Sequence, residues 1–171
     1  MKKLIFLIAA FSSITGFSQT YNLNLMPWPK EITEGSEQFV IEPNFVISLN
    51  NQSTKRIEIA TTNFLRRLSN KTGVFIEEGF AFESDELDNI SLSITFERVG
   101  RLELKEDESY KLQISKNKIN INATTDIGVV YALETLFQLV SNNEVFYLIC
   151  WFVKEKIRKV REYTQTKEKL I

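Results

Sequence analysis

Ala123 to Val140 reads ATTDIGVVYALETLFQLV, and its periodicity decides the fold. Thr124, Thr125 or Asp126 can accept a hydrogen bond from the free N–H groups that open a helix. Gly128, in the first turn, lets the backbone approach a neighbour closely. Val130, Leu133, Phe137 and Val140 step by three and four and share one face. Val129, Ala132, Leu136 and Leu139 cover the next face round. Only Glu134, Gln138 and Ser141 remain as a narrow polar stripe. A helix lying on one sheet needs a single apolar stripe. Two stripes predict a layer on each side.

Immediately before this helix, Ile119, Ile121 and Ala123 alternate with Lys118, Asn120 and Asn122. Tyr110, Leu112 and Ile114 alternate with Lys111, Gln113 and Ser115, and Ile90, Leu92, Ile94 and Phe96 with Ser91, Ser93 and Thr95. Such alternation marks strands with one buried and one wet face. Ser115-Lys-Asn-Lys118 reads as a tight turn joining the last two strands. Further out, Ser53 or Thr54 can cap a helix whose Ile57, Ala60, Phe64 and Leu68 share a face, and Gly73 ends it. Lys55, Arg56, Arg66 and Arg67 lie off that face; Arg66 and Arg67 read as solvated cations near the helix C-terminus, rather than as an anion site. Phe39–Ile41, Phe45–Ile47 and Val74–Ile76 read as short strands. Glu77–Asp88 is an acidic loop without the ordered spacing of a calcium site. The pattern predicts an α+β fold: a single, mostly antiparallel sheet with two helices packed on one face.

The chain has 171 residues, one cysteine (Cys150) and no histidine. Ser-His and Cys-His nucleophile pairs and His-based metal sites are thereby excluded. A net charge of −1 implies no nucleic-acid partner. Lys2 and Lys3, the apolar run Leu4–Phe11, and small Gly16 and Ser18 before Gln19 form a secretory signal pattern. The run is too short to span a bilayer, so no stable membrane insertion is expected. The reading is a signal peptide over 1–18 and an exported, periplasmic or extracellular, protein. Asn51, Asn70, Asn89 and Asn122 open Asn-x-Ser/Thr sequences, which matter only in a host that N-glycosylates; the signal looks bacterial.

Gly128-Val-Val-Tyr131-Ala-Leu-Glu-Thr135-Leu-Phe-Gln138-Leu resembles the helix that closes the small N-terminal domain of β-N-acetylhexosaminidases, glycoside hydrolase family 20. The Leu25-Met-Pro27-Trp28-Pro29 segment and the hairpin Glu108–Ala123 follow the same domain. The resemblance covers Leu25 to Val140. It implies hydrolysis of terminal N-acetylhexosamine from glycans, with the substrate's acetamide as nucleophile and an Asp-Glu pair in a catalytic barrel. A barrel of that kind needs about 250 residues. Asp85-Glu86 and Asp107-Glu108 do not carry over, because both sit in loops of the small domain. No catalytic, cofactor-binding or metal residue and no cofactor is therefore assigned.

After about Asn143 the chain departs from the family, which has there a short strand and an Asp-x-Pro-Arg-Phe segment. Val145–Val153 is instead apolar, and Lys154–Arg161 is basic with Ile157 and Val160 at helical spacing. The expectation is a family domain over 19–143 and a non-family helical tail over 144–171 that is loosely attached and comes from a truncated or frame-shifted frame. The implied function is that of the non-catalytic N-terminal domain of an exported β-N-acetylhexosaminidase without its barrel, inactive alone. The same small domain on another exported glycosidase is a related reading. The alternative is a free-standing glycan- or partner-binding module using Trp28 and the last helix; a third reading is a surface-associated protein using the basic tail. The implied partner is an intramolecular barrel. In its absence, Val129, Leu136 and Leu139, or whichever residues of the second stripe face outward, would be bare or covered by Val145–Val153, a surface for self-association.

Overall fold

The computed structural model describes residues 25–50, 53–76, 80–82, 90–140 and 147–155. The signal pattern, most of the acidic loop and the basic end of the tail lie outside these. The elements are β1 (Glu31–Val40), β2 (Ile47–Leu49), α1 (Lys55–Thr72), β3 (Phe80–Phe82), β4 (Leu92–Arg98), β5 (Tyr110–Ile114), β6 (Ile119–Thr125), α2 (Asp126–Leu139) and β7 (Tyr147–Glu155).

The strands make one sheet in the order β1-β7-β5-β6-β4-β2-β3. Pleating sorts the side chains as the alternation requires. Ile47, Leu92, Ile119 and Ile114 lie in register across four strands, as do Leu49, Ile94, Ile121 and Leu112. These eight form the core floor, and all are buried. The opposite face carries Ser48, Ser93, Thr95, Asn120, Asn122, Gln113 and Lys111. There the Asn50 amide donates to Ser93 Oγ at 2.7 Å and to Thr95 Oγ1 at 3.3 Å.

Both helices pack on the apolar face and run parallel. Their N-termini meet at Arg56 and Asp126, and their C-terminal turns meet where Lys71 Nζ donates to the Phe137 carbonyl at 3.3 Å. Thr54 caps α1 by accepting from the Ile57 N–H at 3.2 Å, and Gly73 closes it with φ 69°. Among the three expected caps of α2, Thr125 is the one: its Oγ1 accepts from the Gly128 N–H at 3.3 Å. A Cβ on Gly128 would sit 2.7 Å from the Ser109 carbonyl oxygen. The glycine thus admits the close approach of helix to strand β5.

Four expectations need correction. The sheet is mixed rather than mostly antiparallel: β3, β2, β4 and β6 are mutually parallel, and β6, β5, β7 and β1 antiparallel. Alternation reports which face a residue occupies but not strand direction. The eleven residues 99–109 let β5 skip one position, and β6 turns back into that slot alongside β4. The tail is not wholly helical or loosely attached, since Tyr147–Glu155 is a strand between β1 and β5. Its run of Tyr, Ile, Trp, Phe and Val has the branched and aromatic character that suits a strand. Val74–Ile76 is not a strand; the strand comes later, at Phe80–Phe82. Finally, the second apolar stripe of α2 is not left bare, and the first stripe is the one that meets α1. Val129, Ala132 and Leu136 are fully buried, and Leu133, on the other stripe, is buried as well.

A buried anchor and a candidate docking groove

The most enclosed charged group among the described residues is Asp126, whose side chain is 1% exposed. Its carboxylate receives Arg56 Nη1 at 2.7 Å on both oxygens, the Thr54 hydroxyl at 3.2 Å and the Gly100 N–H at 2.7 Å. Removing a carboxylate from water costs several kcal/mol, about what a paired cation and charge-assisted hydrogen bonds can return. Three donors make four hydrogen bonds to it here, and it also lies in the first turn of α2, where the helix dipole favours a negative charge. The arrangement ties together the N-termini of both helices and the start of the 99–109 loop. Its acceptor positions are filled from within the protein, so it works as an anchor rather than as an acid or base for a substrate. The sequence reading placed Arg56 off the apolar face without a partner. The signal that could have found it is Asp126 itself, an acid opening an otherwise apolar helix.

Between the two helices, on the side away from the sheet, runs a groove of about 420 Å³. Ala60, Phe64, Val130 and Leu133 line its apolar floor, and Arg56, Arg66, Arg67 and Glu134 stand at its rim. Arg67 pairs with Glu134 and lies 4.1 Å from the centre of the Phe137 ring. Lys71 lies 4.9 Å from the same ring; burial, then the nearby Arg67 charge, lowers its pKa. The groove combines an apolar floor with a cationic rim and a single carboxylate. That chemistry suits a protein surface better than a glycosidic bond, whose hydrolysis here would need an acid beside a second acid.

A second hollow, of about 400 Å³, lies at the far end of the sheet, between Gln38, Glu42, Asn44, Lys116 and Asn117. It too contains one carboxylate. Among the described residues no group of three His, Cys, Asp or Glu side chains is placed to hold a metal ion. Asp107-Glu108 lies in the 99–109 loop, where Asp107 Oδ1 accepts from the Ser109 N–H at 3.0 Å. Asp85-Glu86 lies outside the described residues.

Trp28 is 65% exposed. Its segment is fixed from below: the Met26 N–H donates to Gln138 Oε1 at 2.8 Å, and Gln138 Nε2 donates to the Met26 carbonyl at 3.0 Å. Gln138, one of three polar residues on α2, therefore serves as a two-way clamp on the incoming chain.

A family model described as "beta-acetyl hexosaminidase like" matches residues 25–139, from the Met26 clamp to the end of α2. The chain belongs to that family. Among curated proteins, this hexosaminidase-like chain is 29% identical to β-hexosaminidase subunit A1 of Dictyostelium discoideum over 164 residues, covering 92% of this chain and 29% of the relative. It is 33% identical to subunit A2 over 145 residues, covering 80% and 25%. Among solved structures, the chitobiase of Flavobacterium johnsoniae superposes with a TM-score of 0.72 at 40% identity, over 80% of this chain and 21% of that one. An exo-β-N-acetylglucosaminidase of Vibrio harveyi shares the fold, with a TM-score of 0.59 at 19% identity, over 80% and 19%. The chain spans less than a third of the length of each of these relatives.

Proposed function

We propose that this chain supplies the non-catalytic N-terminal domain of an exported β-N-acetylhexosaminidase, an enzyme that removes terminal N-acetylhexosamine from glycans. The observation that carries this reading is the extent of the match. The helix-on-sheet region matched, residues 25–139, corresponds to a quarter or so of much longer hydrolases. The most enclosed carboxylate, Asp126, is committed to the helix anchor. In this reading the domain extends over 19–143 behind an export signal at 1–18, and residues 144–171 lie outside the family unit. The acid–base pair belongs to a catalytic barrel, for which the helix groove provides a seat.

The test is turnover of a chromogenic N-acetylglucosaminide by the purified chain. A general acid is worth about 10²–10⁴-fold, so the expected result is no hydrolysis above buffer. Turnover abolished by Asp107→Ala or Glu108→Ala would contradict the reading, as would turnover that survives both.

The clamp between Met26 and Gln138 favours a second reading. It joins the exposed Trp28 to the last helix, the two features that a glycan- or partner-binding module would use. Glycan binding by the isolated chain that Trp28→Ala abolishes, with the fold intact, would favour it.

A further inference from the structure

The hollow at the far end of the sheet has walls that the fold holds in place. One wall is the connection from β1 to β2, residues 41–46. Ile41 and Phe45 are buried, and the Phe45 ring meets Phe39 edge to face at 6.1 Å. The Phe45 N–H donates to the Glu42 carbonyl at 3.1 Å. The turn so made leaves the Glu42 and Asn44 side chains exposed. The opposite wall is the turn from β5 to β6. There Ser115 Oγ donates to the Lys118 carbonyl at 2.6 Å and accepts the Lys118 N–H at 3.3 Å, and Lys116 and Asn117 stand exposed at the tip. Ser91 ties the two walls together. Its Oγ accepts the Val46 N–H at 3.3 Å, and its carbonyl accepts the Ile119 N–H at 2.8 Å. A ligand entering here would not have to order either wall, which saves a large part of the usual cost of binding.

The lining is polar, balanced in charge and uncommitted. Gln38, Asn44 and Asn117 are amides, each with both donors and an acceptor. Glu42 adds one anion and Lys116 one cation. Among the described residues, these five side chains have no hydrogen-bond or ion-pair partner. Beside them Val40, 44% exposed, and the partly exposed Ile90 form a small apolar strip. Phe39 also borders the hollow but is buried, so it offers no open ring for stacking.

This chemistry selects a class of ligand. An anion would face Glu42 and a cation would face Lys116, so the ligand carries no net charge. A flat aromatic ring would find nothing to stack on. The amides call for groups that both donate and accept, and the Val40 strip calls for an adjacent C–H face. A neutral saccharide has both, and a volume of about 400 Å³ falls within the ordinary range for small-molecule sites. We propose that this hollow is a subsite for one or two rings of a neutral saccharide, separate from Trp28 and from the helix groove. The proposal does not depend on the hexosaminidase reading.

The experiment is titration of the full chain with N,N′-diacetylchitobiose, followed through backbone amide shifts by NMR. The expected result is saturable shifts confined to residues 42–46 and 115–118. The site is open to water and lacks a stacking ring, so the dissociation constant should be about 1–10 mM. Glu42→Ala with Asn44→Ala removes two exposed side chains and no backbone contact, and should weaken binding roughly ten-fold. The fully deacetylated, cationic disaccharide should bind more weakly than the neutral one. Shifts that rise linearly without saturation would mean binding at high concentration only and would overturn the proposal. Equal affinity in the double variant, or tighter binding of the cationic disaccharide, would do so too. Shifts centred on Trp28 and abolished by Trp28→Ala would also refute it, while supporting the glycan-binding reading given above.

Discussion

The two halves of the sheet are held by different means. In the parallel half, β3, β2, β4 and β6, two helices cover the apolar face, and the Asp126 network fixes where those helices begin. In the antiparallel half, β5, β7 and β1, the sheet partnership of β1 rests on β7 alone. That strand lies beyond residue 139, where the family match ends. One half is closed by residues shared with the family, and the other by residues outside the match. The comparison teaches that the limit of a family match need not be the limit of a cooperative fold.

The largest effect should come from deleting residues 144–171. The deletion takes β7 away, bares the edge of β5 and leaves β1 without its sheet partner. A bare edge presents unpaired N–H and C=O groups to any neighbouring chain. The truncated chain is expected to self-associate in light scattering and to lose amide protection in β1, while β2 and β4 stay protected. A monomeric product with β1 still protected would show that the two halves do not differ in this way.

Next in size is Asp126→Ala, in the helix-covered half. Breaking a buried pair costs about 3–5 kcal/mol. Arg56 keeps a third of its side chain in water, so the expected loss is near the low end, about 3 kcal/mol in urea unfolding. Asp126→Ala combined with Arg56→Leu should recover part of it, because the stranded cation is removed. A loss below about 1 kcal/mol would mean that the network is not what fixes the helix starts.

Gly128→Ala should cost about 1–3 kcal/mol, the usual range for overpacking. The added methyl would press on the Ser109 and Glu108 carbonyl oxygens, both backbone atoms. Neutral stability in thermal unfolding would contradict the tight approach of α2 to β5.

The smallest effect concerns the seam between the halves, at Glu106. Its pKa falls from 4.5 to about 2, chiefly through the Arg98 hydrogen bond and then through the N–H groups of Arg101 and Asp107. A carboxyl with a depressed folded pKa adds stability that is present above pH 4.5 and is lost as pH falls towards 2. Glu106→Gln should therefore lower stability at pH 7, converge with the parent chain as pH approaches 2, and so flatten the acid limb of the stability curve. An unaltered acid limb would count against these hydrogen bonds.

Much of this architecture could be read from the sequence. The two helices, their caps at Thr54 and within Thr124–Asp126, the Gly73 stop, the Ser115–Lys118 turn and the buried strand faces all follow from local periodicity and turn chemistry. Strand direction was not legible, because Ile94 faces the core whichever way its neighbour runs. The partner of the first α2 stripe was also hidden: the Val130, Leu133 and Phe137 pattern asks for cover without naming α1. Arg56 looked like any cation near a helix start until Asp126 was placed beside it. Neither the β7 pairing nor the exposure of Trp28 has a local signature, since both depend on which distant segments come together. The family resemblance, by contrast, was visible in a dozen residues of α2.

The most direct test of the central claim is to exchange the domain. Residues 25–155 of this chain, strand β7 included, would replace the matching segment of the Flavobacterium johnsoniae chitobiase, to which the chain is 40% identical. If this unit is a hexosaminidase N-terminal domain, the chimera should fold and keep that enzyme's activity within about ten-fold. A soluble, folded chimera without activity, or an intact enzyme from which the grafted unit swings free in limited proteolysis, would contradict the account.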